Sequence, residues 1–282
     1  MLHLPKPNNQ ITAEIKGSDP EILIPGIINR VLPSVLPSSV TDGSFSAYVK
    51  LAERFRGTCK SQSQTHPVYP VGPVIDLKGG QADDPSNLDK DQHDKIIKWL
   101  DEQPQSSIVF LCFGSMGSFG ATQSLRLPPV TQGKTTRASK SSNSEDILPD
   151  GFLGRVLAHK ATGGFVSHCG WNSILESLWY GVPVVTWPIS AEQQLNAFRM
   201  VRELGLAEEL RLDYRKGSGE LVVADEIENG VTKVMDRNSE VRKKVKDMAE
   251  KVRRAAMDGG SSFISIGKLI DDMMGFGQIW KG

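Results

Sequence analysis

Apolar residues form their clearest pattern in the second half of the chain, where they predict strands alternating with helices. Residues 107–113 form a continuous apolar run of strand length, which is typical of a strand buried on both faces of a sheet. Residues 164–167 and 182–187 predict two further strands, and a helix is predicted between them over 171–180. This order predicts a β–α–β unit with a parallel sheet, and therefore an α/β fold.

Helical periodicity accounts for most of the remaining second half. A short amphipathic helix is predicted over 91–101, before the first strand, and another helix over 192–204, after the third. Three C-terminal helices are predicted over 226–235, 241–257 and 262–274. The basic residues on one face of 241–257 alternate with acidic ones, which is typical of a solvated helix face.

Two stretches do not fit a compact α/β domain. In the first ninety residues, prolines interrupt 5–37, a helix is indicated over 44–55, and 80–91 is acidic and loop-like. Residues 121–149 lack a helical period, although a doubly wound fold requires a crossover helix after the first strand. We interpret 121–149 as a disordered loop or as the place of a deleted element.

Charge and composition exclude several classes of function. The 282 residues include 33 basic and 33 acidic side chains, so no net field favours nucleic acid or an anionic membrane. Three cysteines are too few for a disulfide framework. The longest apolar run, 108–113, is far shorter than the roughly 20 residues that cross a bilayer. We therefore expect a cytoplasmic protein without nucleic-acid partners or membrane insertion.

The residues suited to chemistry follow the predicted strands at one edge of the sheet. The first strand leads into a glycine-rich turn over 114–120, as in α/β folds that open a ligand crevice there. The residues 168–173 (His-Cys-Gly-Trp-Asn-Ser) stand where a strand passes into a helix, whose free N–H groups favour a phosphate. Glu192 and Gln193 follow the next strand, where they can hydrogen-bond hydroxyl groups. A phosphate site beside a polyol site is the outline of a nucleotide-sugar site.

Simpler interpretations of the same residues stay open at this point. Ser173 and Glu176 fit the S-x-x-E capping box, so both can serve their helix alone. His168 and Cys169 can be read as a thiol nucleophile with its base, although adjacent side chains rarely point together and no third group is evident. The spacing of cysteines and histidines does not match a zinc site, and no P-loop or dinucleotide-binding motif is present.

The order of residues over 157–193 resembles the plant secondary-product glycosyltransferase signature. The matching positions are Leu157-x-His159-x-x-x-Gly163-x-Phe165-x-x-His168-Cys-Gly-Trp-Asn-Ser173-x-x-Glu176, then Gly181-Val-Pro183, then Trp187-Pro188-x-x-x-Glu192-Gln193. Shorter resembling segments lie at 69–73, 99–101, 113–115, 241–242 and 259–262. The chain is similar to the family 1 UDP-sugar transferases, and most of all to flavonoid and plant-hormone O-glucosyltransferases.

The resemblance implies a GT-B type fold. Residues 91–275 would form the Rossmann-like UDP-sugar domain with a disordered 121–149 loop, 67–90 an interdomain linker, and 1–66 an incomplete remnant of the N-terminal acceptor domain. It implies donor contacts from Ser115, His168, Trp171, Asn172, Ser173, Glu176, Glu192 and Gln193.

The same resemblance implies what each of these residues does. His168, Asn172, Ser173 and Ser115 would contact the phosphates, and Glu176 the ribose hydroxyls. Three further residues would hold the sugar: Trp171, Glu192 and Gln193. The reaction would be inverting transfer of glucose from UDP-glucose to a hydroxyl of a flavonoid, phenolic or hormone. We expect the reaction to need neither a metal nor a cofactor. We also expect the protein to be a monomer.

The departures from the signature point to a truncated and internally deleted chain. Residues 150–153 hold Asp-Gly-Phe-Leu where the family has Trp-x-Pro-Gln, and loss of the Trp that stacks on uracil costs about 1–3 kcal/mol. His3 does not stand in the context of the family's general base, so no catalytic residue is assigned. Two further hypotheses follow: an inactive remnant that at most binds UDP-sugar or a homologous partner, and a misfolded fragment.

Overall fold

The computed structural model describes residues 20–21, 27–37, 69–75, 87–114, 152–215 and 218–279. Within these residues a one-turn 3-10 helix at Pro33–Val35 precedes seven α-helices and four strands. They are α1 (Asn87–Asp101), β1 (Ile108–Cys112), α2 (Phe152–Ala158), β2 (Thr162–Ser167), α3 (Trp171–Tyr180), β3 (Val184–Thr186), α4 (Gln193–Phe198), β4 (Ala207–Glu209), α5 (Ala224–Met235), α6 (Glu240–Ala256) and α7 (Ser261–Ile279). A π-helical turn, Arg199–Glu203, continues α4.

The four described strands form one parallel sheet in the order β1-β2-β3-β4. Side chains that alternate along β2 and β3 enter two separate apolar clusters. Phe165 and Val184 pack into the cluster on one face, and Val166 and Val185 into the cluster on the other. Helices therefore cover both faces of the sheet, which confirms the predicted β–α–β unit and the α/β class.

Strand β1 differs from its prediction. It was expected to be buried on both faces, but among its residues only Cys112 is buried and 108–111 are partly exposed. The reason is its position, because β1 lies at the edge of the described sheet and pairs with β2 alone. The fully buried strand is β2, in which all six residues are buried.

The amino end of β2 contains an irregularity in the ladder to β1. Ile108 pairs with Thr162 and Val109 pairs with Gly164, so Gly163 between them has no partner in the register. A Cβ at Gly163 would lie 2.7 Å from the carbonyl oxygen of Ser106, so the close approach requires glycine. The Gly163 carbonyl accepts a hydrogen bond from Arg242 Nη2 of α6 at 2.8 Å, which supplies the donor that the ladder does not.

Within the described residues every predicted helix is present, apart from differences in bounds and one change of type, but α2 was not predicted. Helix α3 has the predicted bounds, α1 begins four residues early, and α7 extends five residues further than expected. The predicted single helix over 192–204 is α4 followed by the π-helical turn, and no proline or glycine in this stretch signals the change. Strand β4 was not predicted, because three residues with two glutamates give no apolar strand pattern.

Residues 27–37 pack against the α/β domain. Val31 and Val35 are fully buried in the same cluster as Phe165, and Arg215 Nη2 donates to the Ser34 carbonyl at 3.0 Å. This segment was assigned to the N-terminal remnant, and the predicted domain boundaries themselves stay predictions. The expected helix over 44–55, the 121–149 loop and Ser115 lie outside the described residues.

Candidate functional site

Three loops meet at the carboxyl edge of the sheet, because β1, β2 and β3 are parallel neighbours. They are residues 113–114 after β1, 168–170 after β2 and 187–192 after β3. Trp187 N donates to the Ser167 carbonyl at 2.8 Å, so the ladder between β2 and β3 continues to the point where both loops begin. Two groups of predicted donor residues, 168–176 and 192–193, therefore stand side by side, as the sequence predicted.

The imidazole of His168 is packed between two glycines. A Cβ at Gly114 would lie 2.8 Å from His168 Nε2, and a Cβ at Gly170 would lie 2.5 Å from it. The other ring nitrogen, Nδ1, is 3.4 Å from the Cys112 carbonyl oxygen. The ring is thus held in place at the end of β1 with little room to turn.

Burial also sets the charge of this histidine. Loss of solvation lowers the pKa of His168, and the Cys112 carbonyl and the Glu192 carboxylate partly offset that effect. The imidazole is neutral at neutral pH in the ligand-free protein. An anion beside Nε2 would favour the protonated ring, because an opposite charge stabilises the imidazolium.

The amino terminus of α3 faces the same space. Its N-cap is Gly170 in extended conformation, with no side-chain cap and no acidic residue in the first turn of this described helix. Trp171 is 52% exposed, Asn172 is also exposed and Ser173 is buried. A helix start without side-chain capping offers N–H donors and a positive dipole end to an anionic ligand.

The capping-box interpretation of Ser173 and Glu176 is wrong. A capping box needs its serine at the N-cap, but the helix begins at Trp171 and Ser173 is its third residue. Glu176 instead lies near the end of β1, because its carboxylate adds to the effect of burial in raising the pKa of both Tyr180 and the Cys112 thiol.

The thiol-nucleophile interpretation also fails. Cys169 is fully buried, and burial raises the pKa of its thiol to about 12, so the thiolate is not populated at neutral pH. Its Sγ donates to the Ser167 carbonyl at 3.5 Å, whereas His168 Nδ1 faces Cys112. The two side chains do not form a catalytic pair.

On the neighbouring loop, the Gln193 side chain has a defined orientation. Its Oε1 accepts from the main-chain N–H of Ile189 at 2.9 Å and of Ser190 at 3.0 Å. The amide oxygen is thereby used in holding the loop, and the NH₂ group is left as a donor. Glu192 is exposed and precedes α4 as its N-cap. Together they offer one donor group and one acceptor group to hydroxyls.

Sequence reasoning missed three residues that shape this site. Ser167 Oγ accepts from Cys169 N–H at 3.0 Å, Asn196 Nδ2 donates to the Cys169 carbonyl at 3.0 Å, and Gly114 makes room for His168. The glycine directly after the strand was a usable signal for Gly114. No local pattern indicates the contact between Asn196 and Cys169, which are 27 positions apart.

A groove on the described surface lies away from these loops. It has a volume of about 540 Å³ between α1 and α2, and His159 Nε2 lies 3.1 Å from Asp101 Oδ1 in its wall. Its lining includes none of the predicted donor residues that the structure describes. We therefore assign the donor site to the loops at the sheet edge, where the chemistry converges.

Among the described residues, no group of three histidine, cysteine or acidic side chains is arranged to hold a metal ion. In the same part of the chain, no helix combines the length and apolar character of a membrane span.

Comparisons with known proteins converge on one family. The family described as "UDP-glucoronosyl and UDP-glucosyl transferase" matches residues 152–253. UDP-glycosyltransferase 71K1 of Malus domestica is 53% identical over 326 residues, covering 98% of this chain and 67% of that protein. Flavonol 3-O-glucosyltransferase UGT71C4 of Arabidopsis thaliana is 41% identical over 317 residues, covering 97% of this chain and 66% of that protein.

A solved structure agrees with these sequence relatives. The crystal structure of Medicago truncatula UGT71G1 complexed with UDP-glucose has a TM-score of 0.75 and 44% sequence identity, covering 94% of this chain and 65% of that one. The chain spans about two thirds of the length of these relatives. The 326 matched positions exceed the 282 residues of this chain, so the Malus protein has residues inside the matched region that this chain lacks, in agreement with the predicted internal deletions.

Proposed function

This chain belongs to the plant UDP-glycosyltransferase family and shares its GT-B class of α/β fold, and from that premise we propose that the loops at the carboxyl edge of its sheet bind UDP-glucose. The observation that carries the proposal is the pairing of His168 and the N-terminus of α3 with the Glu192–Gln193 loop at one sheet edge. One side is suited to a diphosphate and the other to sugar hydroxyls.

In this proposal the diphosphate lies against the first turn of α3. The N–H groups of 171–173 and the side chains of Asn172 and Ser173 donate to its oxygens, and His168 Nε2 donates once the ring is protonated. These donors also stabilise the negative charge that develops on the leaving UDP when the glycosidic bond breaks. Glu176 would accept from the ribose hydroxyls, and no metal is assigned a role.

The glucose would lie toward the loop after β3. The NH₂ group of Gln193 donates to a sugar hydroxyl and the Glu192 carboxylate accepts from one, while half-exposed Trp171 offers an apolar surface to the ring. The acceptor would be a small phenolic such as a flavonol, by analogy with the flavonol 3-O-glucosyltransferase relative. Its deprotonated hydroxyl would attack the anomeric carbon in line and invert it. The predicted cytoplasmic location and monomeric state remain part of this proposal.

Calorimetric titration tests donor binding directly. UDP-glucose and UDP are titrated into the purified chain and into His168→Ala, and we expect affinity for both ligands in the wild type and at least a tenfold loss in the variant, about 1.4 kcal/mol. UDP should also raise the melting temperature of the wild type, because a ligand that binds the native state alone stabilises it. Absence of heat and of a thermal shift would overturn the proposal.

A second candidate function is donor binding without turnover. It is favoured by the departure from the family signature at 150–153, where Asp-Gly-Phe-Leu stands in place of Trp-x-Pro-Gln. Release of UDP from UDP-glucose, with and without a mixture of flavonols and phenolic hormones, separates the two. Acceptor-dependent release that His168→Ala abolishes supports the transferase, whereas binding without release supports the inactive form.

A further inference from the structure

We infer that Asn196 is a positioning residue that couples the two sides of the donor site, by tying the turn after β2 to helix α4. The inference rests on the proposed function, because it concerns the same loops. Asn196 is not among the residues predicted to contact the sugar donor, so this role is a new one.

The turn after β2 has a conformation that needs support. Cys169 has a φ of +63°, in the left-handed region that residues other than glycine rarely adopt. Two hydrogen bonds hold it there: Ser167 Oγ accepts from the Cys169 N–H at 3.0 Å, and Asn196 Nδ2 donates to the Cys169 carbonyl at 3.0 Å. The first bond is local to the turn, and the second comes from another element.

The carbonyl that Asn196 holds is next to the start of α3. It belongs to the same peptide group as the N–H of Gly170, the N-cap of that helix. Because the peptide group is planar, a donor on its oxygen also orients its N–H and the residue that follows. Asn196 therefore helps to set where the first turn of α3 begins, and with it the direction of the phosphate donors.

The main chain of the same residue is tied to the sugar side. Its N–H donates to the Glu192 carbonyl at 3.0 Å, one helical turn earlier, next to Gln193. The backbone of Asn196 is thus hydrogen-bonded to the 192–193 side of the site, and its side chain is hydrogen-bonded to the 168–173 side. A ligand that spans both loops needs them at a set distance, whereas one confined to the phosphate side does not.

Gln194 provides a matched control on the same helix. It is a buried amide, and its Nε2 donates to the Tyr214 carbonyl at 2.8 Å rather than to the turn after β2. Gln194→Ala removes a helix-anchoring hydrogen bond and more side-chain volume than Asn196→Ala does. It should therefore lower stability at least as much, without touching Cys169. Asn196→Asp keeps the size of the side chain but places a carboxylate oxygen opposite a carbonyl oxygen.

The first measurement is hydrogen exchange by mass spectrometry on the ligand-free chain. In Asn196→Ala and Asn196→Asp, amides within 168–173 should exchange roughly tenfold faster than in the wild type, since local opening becomes easier. In Gln194→Ala their exchange should change no more than that of the rest of the domain. Unchanged exchange at 168–173 in both Asn196 variants would overturn the inference, whether or not the chain binds a nucleotide.

The second measurement is the ratio of the dissociation constants for UDP-glucose and UDP. We expect this ratio to rise about fivefold in Asn196→Ala, a coupling of about 1 kcal/mol, and to stay at the wild-type value in Gln194→Ala. Faster exchange with an unchanged ratio would overturn the coupling of the two sides. A wild-type chain that binds neither ligand would refute the proposed function. The exchange data alone would then show whether Asn196 positions the turn after β2.

Discussion

Each end of strand β2 has a buried basic side chain beside it, and the two side chains differ in how their polar groups are used. At the amino end, Arg242 is buried and its guanidinium donates to three main-chain carbonyls, those of Gly163, Val234 and Asp236. At the carboxyl end, His168 is confined between glycines beside a helix start that has no side-chain cap among the described residues. The amino end satisfies its polar groups internally, whereas the carboxyl end presents donors to a ligand.

This difference separates stability from function along one strand. A buried cation that donates to three carbonyls contributes to folding, and its loss leaves those carbonyls without this donor. A confined imidazole beside free helix N–H groups contributes little to folding, and under the proposed function it would contact a diphosphate. Substitutions at the amino end should therefore change unfolding, and substitutions at the carboxyl end should change binding.

The largest effect is expected from Arg242→Met at the amino end. Methionine keeps part of the side-chain volume but leaves the carbonyls of Gly163, Val234 and Asp236 without this donor. The free energy of unfolding should fall by roughly 3–5 kcal/mol, because three main-chain carbonyls lose a charged donor and each such loss costs about 1–3 kcal/mol, while the UDP affinity of the folded protein stays within about twofold. Urea unfolding followed by circular dichroism measures the first quantity, and calorimetry measures the second.

Arg253→Met is the matched control for that experiment. Arg253 Nη1 donates to one carbonyl, that of Trp179, at 3.0 Å from a partly buried position. Its loss should cost about 1 kcal/mol, the usual net contribution of one hydrogen bond. Equal destabilisation by the two variants would contradict the special role of the amino end.

The same strand shows how much the sequence alone could predict. The bounds of α3 were predicted correctly, because Gly170 precedes it and Gly181, with a φ of +72°, ends it. The first two residues of β2, Thr162 and Gly163, were missed, because they give no apolar strand pattern and Gly163 has no partner in the irregular ladder with β1. The tie between Arg242 and Gly163 joins residues 79 positions apart, and local periodicity carries no information on such contacts.

For the site, the sequence predicted which residues meet but not how they are held. The parallel order of β1, β2 and β3 was enough to bring His168 and Gln193 to one edge. The orientation of the Gln193 amide depends on main-chain N–H groups of Ile189 and Ser190, in a loop without periodicity. The confinement of His168 depends on Gly114, which comes from a different strand.

The second largest effect should come from Gly170→Ala at the carboxyl end. Gly170 has φ −62° and ψ 143°, which alanine adopts without strain, so its effect arises from the Cβ that would lie 2.5 Å from His168 Nε2. The displaced imidazole should weaken UDP binding by at least tenfold, about 1.4 kcal/mol, and overpacking should cost about 1–3 kcal/mol of stability. Calorimetry and urea unfolding measure the two quantities.

Two further variants test whether the clash between the added Cβ and His168 causes these losses. Gly267→Ala, where a Cβ meets nothing within 4 Å, should leave UDP affinity unchanged. In Gly170→Ala combined with His168→Ala, stability should return toward that of His168→Ala while affinity stays low. If the double variant stayed as unstable as Gly170→Ala, the clash with His168 would not be the cause.

A smaller effect, confined to one ligand, is expected from Gln193→Glu. One carboxylate oxygen can still accept from the N–H groups of Ile189 and Ser190, so the loop is retained, but the donor toward the sugar is lost. UDP-glucose affinity should fall about tenfold, near 1.4 kcal/mol, while UDP affinity changes less than about twofold. An equal loss of affinity for both ligands would show that the loop itself had moved. Gln193→Ala removes both the acceptor that holds the loop and the donor toward the sugar, so it shows what movement of the loop does to the two affinities.

The smallest effect is a pH dependence that arises at the carboxyl end alone. Burial lowers the pKa of His168, so below about pH 6.5 the unfolded chain takes up a proton that the folded chain does not. The free energy of unfolding is therefore fully present above that pH and decreases as the pH falls toward the lowered pKa. Arg242 stays protonated throughout this range, although burial lowers its pKa as well, so the amino end adds no slope.

Comparison with His168→Gln isolates this contribution, because every other titrating group is common to the two proteins. In urea unfolding between about pH 7.5 and pH 5, the wild type should lose more stability on acidification than the variant does. Saturating UDP should reduce the difference, since a diphosphate beside Nε2 stabilises the imidazolium and lets the folded state take up the proton too. Identical slopes for the two proteins would mean that the imidazole is already solvated in the free protein, and the contrast between the two ends of β2 would lose its electrostatic basis.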